Sequence, residues 1–165
     1  MAREEGMALA PWGALGSGMF KTAEQRASNQ GRQVKPNKDQ IKVIEKLEAI
    51  AKRLNTQLTS VALAYVMHKS PYVFPIVGGR NIEHLKGNIE ALKLHLTDAD
   101  IDEIESAAPF DLGFPSNMLY SGRKTADPLD VAMHRNSGVF DYVPLPKVCH
   151  SGTNVSMFLG GYSVR

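Results

Sequence analysis

Only two stretches of this 165-residue chain read as β-strands, and each runs straight into a glycine turn. The first, Met7-Ala8-Leu9-Ala10, is apolar at every position and bounded by Pro11, which suits a parallel strand buried on both faces. The second, Tyr72-Val73-Phe74-Pro75-Ile76-Val77, is rich in β-branched and aromatic residues. Pro75 lacks an N–H, so pairing should weaken there. Gly13, Gly16 and Gly18 follow the first strand and Gly78 and Gly79 the second, at points where the chain must turn or approach a ligand closely.

Helical periods fill the space between and after them. Ile41, Ile44, Leu47, Ile50 and Leu54 recur at steps of three and four, predicting an amphipathic helix over 38–54 with Asn37 as its N-cap. Thr59 can cap a second helix over 60–67, whose nearly continuous apolar face predicts burial. Asn81 can cap a third, with Ile82, Leu85, Ile89 and Leu92 on one stripe, and Thr97 a short fourth that Pro109 ends. The polar stretch up to Asn37 has no period and reads as loop. Arg3-Glu4-Glu5-Gly6 resembles the end of a helix with a left-handed glycine beyond it, so the chain reads as if entered part-way through a larger unit.

This order makes a β-loop-α-β-α unit with one right-handed crossover. Two strands leave both sheet edges open, and the apolar stripes call for a partner protein to cover them. Charge gives little help to other functions: 19 Lys and Arg against 17 Asp and Glu leave a net +2, no single-sign field for nucleic acid or a membrane surface. The lone Cys149 forms no internal disulfide, and Cys149-His150 has no third group to make a nucleophile or metal site. A reduced, cytoplasmic setting fits that usage.

The segments from Met7 to Gly18 and from Phe74 to Ile89, containing Pro11-Trp12-Gly13-Ala14-Leu15 and Pro75-Ile76-Val77-Gly78-Gly79-Arg80-Asn81, resemble the seventh and eighth βα units of an aldo-keto reductase. Ser60-Val61-Ala62-Leu63-Ala64-Tyr65-Val66 is similar to the helix before strand eight, and Pro109-Phe110-Asp111-Leu112-Gly113-Phe114-Pro115 to the C-terminal segment of the fungal aryl-alcohol dehydrogenase and norsolorinic acid reductase branch. The resemblance covers roughly residues 1–146.

It implies a partial (β/α)8 TIM barrel, an α/β fold, since 165 residues fall short of the roughly 250 of a full one. Residues 1–109 would be the C-terminal βα units and 110–165 an irregular tail. The implied function is NADP-dependent oxidation or reduction of a small aromatic alcohol, aldehyde or polyketide ketone, in fungal secondary metabolism, with this chain a C-terminal fragment. By position, Pro11, Trp12, Gly13, Ala14 and Leu15 would lie along the pyrophosphate and nicotinamide, and Gly78, Arg80, His84 and Asn88 at the adenosine end. Arg80 would grip a 2′-phosphate with its planar fork, favouring NADP over NAD. Gly87 departs from the resemblance, because relatives often carry glutamate there.

The residues alone permit plainer roles. Gly-x-x-Gly-x-Gly is not the dinucleotide fingerprint, so these glycines serve equally as turn formers; Arg80 and His84 suit a solvated surface, and Trp12 a packed core. The family moves protons with an Asp, Tyr, Lys and His tetrad, and none of the five tyrosines stands in that motif. No catalytic residue and no metal ligand is assigned. The chain alone is expected to be inactive, and a non-catalytic nucleotide- or partner-binding remnant, or a truncated gene product, stands as the alternative.

Overall fold

The structure, a computed structural model, describes residue 2 and residues 5–28, 34–79, 81–119 and 148. Its helices are α1 (Ala23–Ala27), α2 (Lys38–Arg53), α3 (Leu58–His68), α4 (Ile82–Ala91), α5 (Asp98–Ser106) and α6 (Ser116–Leu119).

The two expected strands do pair in parallel, Leu9 with Val73 and Trp12 with Ile76 in a single register, but as separate bridges rather than a ladder. The Leu9 amide donates to the Tyr72 carbonyl at 2.9 Å, the Phe74 amide to Leu9 at 2.7 Å and the Ile76 amide to Pro11 at 3.0 Å. A continuous ladder would next require an N–H from residue 11 to the Phe74 carbonyl, and Pro11 has none. The interruption thus comes from Pro11, not from Pro75. Residues 74 and 76 both donate inward, so the donor missing at Pro75 faces the far edge. Burial on both faces is not observed either: Met7 and Leu9 are 46% and 44% exposed.

α2 begins where Asn37 predicts. Its side chain accepts from the Gln40 amide and Gln40 answers on the Asn37 amide, both at 2.8 Å, a reciprocal capping box. It stops at Asn55, whose φ of +50° lets the Thr56 amide reach the Ala51 carbonyl at 2.9 Å, the Schellman ending. Gly6, at φ +63°, allows the same wrap from the Met7 amide to the Ala2 carbonyl at 2.8 Å. α3 starts earlier than expected, with Gln57 rather than Thr59 at the cap and no side-chain bond there. α1 lies within the expected loop; Thr22 and Gln25 form its capping box, a local signal present in the sequence without any apolar period to support it.

α3 packs against α2 on one side and α4 on the other, and α5 lies on α2. The core is Ile44, Leu47, Ile50 and Ala51 from α2, Leu58, Val61, Ala62 and Ala64 from α3, with Leu96 and Ile104 beside them. The regular stripe of α4 points elsewhere: Ile82, Leu85, Ile89 and Leu92 are 49–70% exposed. What α4 sets against α3 is its smaller side, where the buried Ser60 hydroxyl donates to the Gly87 carbonyl at 3.1 Å. A Cβ on Gly87 would stand 2.8 Å from Gln57 Oε1, the end of an exposed, flexible side chain that can swing away. Alanine also removes a glycine penalty of about 1 kcal/mol in a helix interior. Gly87→Ala is therefore expected to stabilise the chain by about 0.5–1 kcal/mol, read as a higher urea midpoint at unchanged slope.

Candidate functional site

The shared register decides where the glycine turns fall. Trp12 opposes Ile76, so both parallel segments end at the same level, and Gly13 and Gly78 leave it one and two residues later on the same rim. Gly13 has φ +76°, a left-handed conformation that opens a tight turn in which the Gly16 amide donates to its carbonyl at 2.8 Å. Gly16 and Gly18 are left-handed as well, at +62° and +91°. Among the described residues, chain neighbours aside, no atom lies within 4 Å of where a Cβ would stand on Gly13 or Gly78.

Gly79 is different, since a Cβ there would meet the His84 Cβ at 3.2 Å. The turn thus folds onto the first turn of α4, where the Asn81 side chain caps the Glu83 amide at 3.0 Å and the His84 amide donates to the Asn81 carbonyl at 3.2 Å. His84 and Asn88 stand one helical turn apart on α4, the first exposed and the second half-buried. Of the first segment's residues, Pro11, Ala14 and Leu15 are half-buried and Gly13 is exposed; Trp12, 81% exposed, is an open aromatic surface rather than a packed core residue. Arg80 lies outside the described residues, as do Cys149 and His150. Among the described residues, no group of three His, Cys, Asp or Glu side chains is arranged to hold a metal ion, and no helix is long and apolar enough to cross a membrane.

The rim thus gathers Trp12, Gly13, Gly78, Gly79 and His84 around the opening of α4. It presents exposed glycine backbones, the positive end of a ten-residue helix and an unburied aromatic plane. A family model described as the aldo/keto reductase family matches residues 1–109. The chain belongs to the aldo/keto reductase family. Its relatives include norsolorinic acid reductase A of Aspergillus parasiticus, 54% identical over 121 residues, and aryl-alcohol dehydrogenase GME11368 of Pestalotiopsis microspora, 47% identical over 147 residues. These alignments take in 73% and 87% of this chain but 31% and 38% of those proteins. This aldo/keto reductase chain therefore spans about a third of the length of these relatives. A putative aryl-alcohol dehydrogenase of Saccharomyces cerevisiae, YFL057C, is 45% identical over 130 residues, 72% of this chain and 85% of the yeast protein.

A second cluster of polar groups leaves no signal in the sequence. The Tyr65 hydroxyl donates to Glu105 Oε1 at 3.1 Å, and Lys69 pairs with the same carboxylate. Burial first, and then the Glu105 charge, push the Tyr65 phenol up to about 12. No local motif marks this trio, because its members come together from positions 36 and 40 apart.

Proposed function

We propose that this aldo/keto reductase chain carries the cofactor side of an NADP-dependent oxidoreductase site, acting on a small aryl alcohol, aryl aldehyde or polyketide ketone. In this reading residues 1–109 are the seventh and eighth βα units of a barrel. The observation that carries it is the common rim: one register sets the Gly13 and Gly78 turns side by side at the C-terminal ends of parallel segments, the end on which barrel enzymes build their sites. Pro11 to Leu15 would hold the pyrophosphate and nicotinamide, while Gly78, Arg80, His84 and Asn88 would hold the adenosine phosphate. Bound NADPH would supply the hydride.

Among the described tyrosines neither is suited to give the proton: burial and Glu105 make Tyr65 a weaker acid, and Tyr72 lies at the opposite end of the second segment from the rim. The names of the relatives, reductases of norsolorinic acid and dehydrogenases of aryl alcohols, support the substrate class. Trp12 is the sole tryptophan, so its emission reports on the rim directly. NADPH is expected to quench it saturably, NADH to bind about tenfold more weakly, and Arg80→Leu to remove that difference, the loss of one charge-assisted contact to phosphate. The same chain should oxidise no NADPH with aromatic aldehydes. Absence of quenching by NADPH refutes the cofactor site, and turnover refutes the missing proton donor. The second reading, a non-catalytic nucleotide- or partner-binding chain, is favoured by the exposed α4 stripe; it shares the quenching and differs by remaining inactive in every assembly.

A further inference from the structure

Between α2, α3 and α5 lies a cleft of about 390 Å³, about half open to solvent. Apolar side chains form most of its wall, among them Phe20, Leu47, Val66, Ile104 and Phe110. Phe110, 74% exposed, lines it from the solvent side. One stretch of wall is polar and holds Tyr65, Lys69 and Glu105. The volume falls within the range that admits small molecules.

We propose that this cleft is a binding site for a small, neutral aromatic molecule bearing one hydroxyl group. The apolar wall and its two phenylalanines take the ring, which loses water-exposed area on entry. The hydroxyl meets the polar stretch, where it donates to the Glu105 carboxylate or accepts from Lys69. Neutrality follows from the pairing of those two groups: Lys69 and Glu105 already balance each other, so a carboxylate or ammonium brought in with the ring would be desolvated without a counter-charge. Ala14 is part of the same wall, which ties the cleft to the Pro11–Leu15 loop without making it part of the nucleotide rim. The proposal is independent of the cofactor reading.

Phenol is the probe, titrated without nucleotide into the isotopically labelled chain and followed by amide chemical shifts. Saturable changes are expected at Ala62, Val66, Ile104 and Ala108, with benzoate and benzylamine binding about tenfold more weakly. Phe110→Ala removes an exposed ring, so its urea midpoint should match the parent while phenol affinity falls about fivefold. Ala108→Met, which narrows the cleft from its edge, should weaken phenol without altering NADPH quenching of Trp12. Arg80→Leu should leave phenol binding intact. The proposal fails if phenol gives no saturable shifts, if the shifts cluster at Trp12 and Gly78, if benzoate binds as well as phenol, or if neither cleft variant changes its affinity.

Discussion

Ile50→Ala is expected to lower the unfolding free energy by about 3 kcal/mol, whereas Ile82→Ala should change it by no more than about 0.5 kcal/mol. Both residues sit on strong helical periods, yet Ile50 has no exposed area and Ile82 is 70% exposed. At Ile50 the cavity left behind is walled by α2 and α3 together, and α2 is in turn held by α5, so the site has little room to collapse. At Ile82 the truncated side chain exchanges one hydrated surface for another. Urea unfolding followed by far-ultraviolet circular dichroism measures both; Trp12 emission is unsuitable, since an indole already in water changes little on unfolding. Equal losses at the two positions would mean that the α4 stripe is buried in solution and the observed packing is incomplete.

The second large effect belongs to Asp100. This carboxylate, with a side chain 9% exposed, accepts from the Thr97 amide at 2.8 Å and the Thr97 hydroxyl at 2.7 Å, and it pairs with Arg53. It thereby closes the capping box of α5 and ties α5 to the end of α2, with Glu103 adding a contact to Arg53 at 3.2 Å. Burial pushes its pKa upward, but the two Thr97 bonds and the guanidinium outweigh that and leave it below the ordinary carboxylate value. A group lowered in the folded state stabilises the fold at pH values above its unfolded value and loses that contribution as pH falls through the folded one. Asp100→Ala should therefore cost about 2 kcal/mol at neutral pH, the sum of a lost cap and a charge-assisted bond. The gap to the parent should shrink as the pH drops below about 4. A gap that persists undiminished in acid would assign the effect to packing instead.

Local patterns in the sequence were enough for the elements whose causes are local. Asn37, Asn81 and Thr97 each cap the helix that follows, because a side-chain acceptor beside an apolar period is a short-range cause with a short-range result. The parallel pairing was legible too, from two apolar runs that both end in glycine. Which face each element buries was not. The α4 stripe has the cleanest period in the chain and stays in water, since period marks a face and says nothing of what meets it. Composition alone marks Pro75 as the weak point, although the donor that the pairing lacks is that of Pro11; register decides which proline matters, and register is a property of two segments. The same reason hid the trio of Tyr65, Lys69 and Glu105. In the rim, the glycines and His84 could be placed from their positions in the chain, whereas the room for a Cβ at Gly13 and Gly78 among the described residues belongs to the folded backbone alone.

The outward donors of the two parallel segments differ in one respect. On the first segment, residues 8, 10 and 12 all possess an N–H directed away from the pair; on the second, the proline at 75 leaves a gap between residues 73 and 77. One margin is thus adhesive and the other blunted. A strand added to the first margin would meet an unbroken row of donors, and one added to the second a row with a gap at its middle.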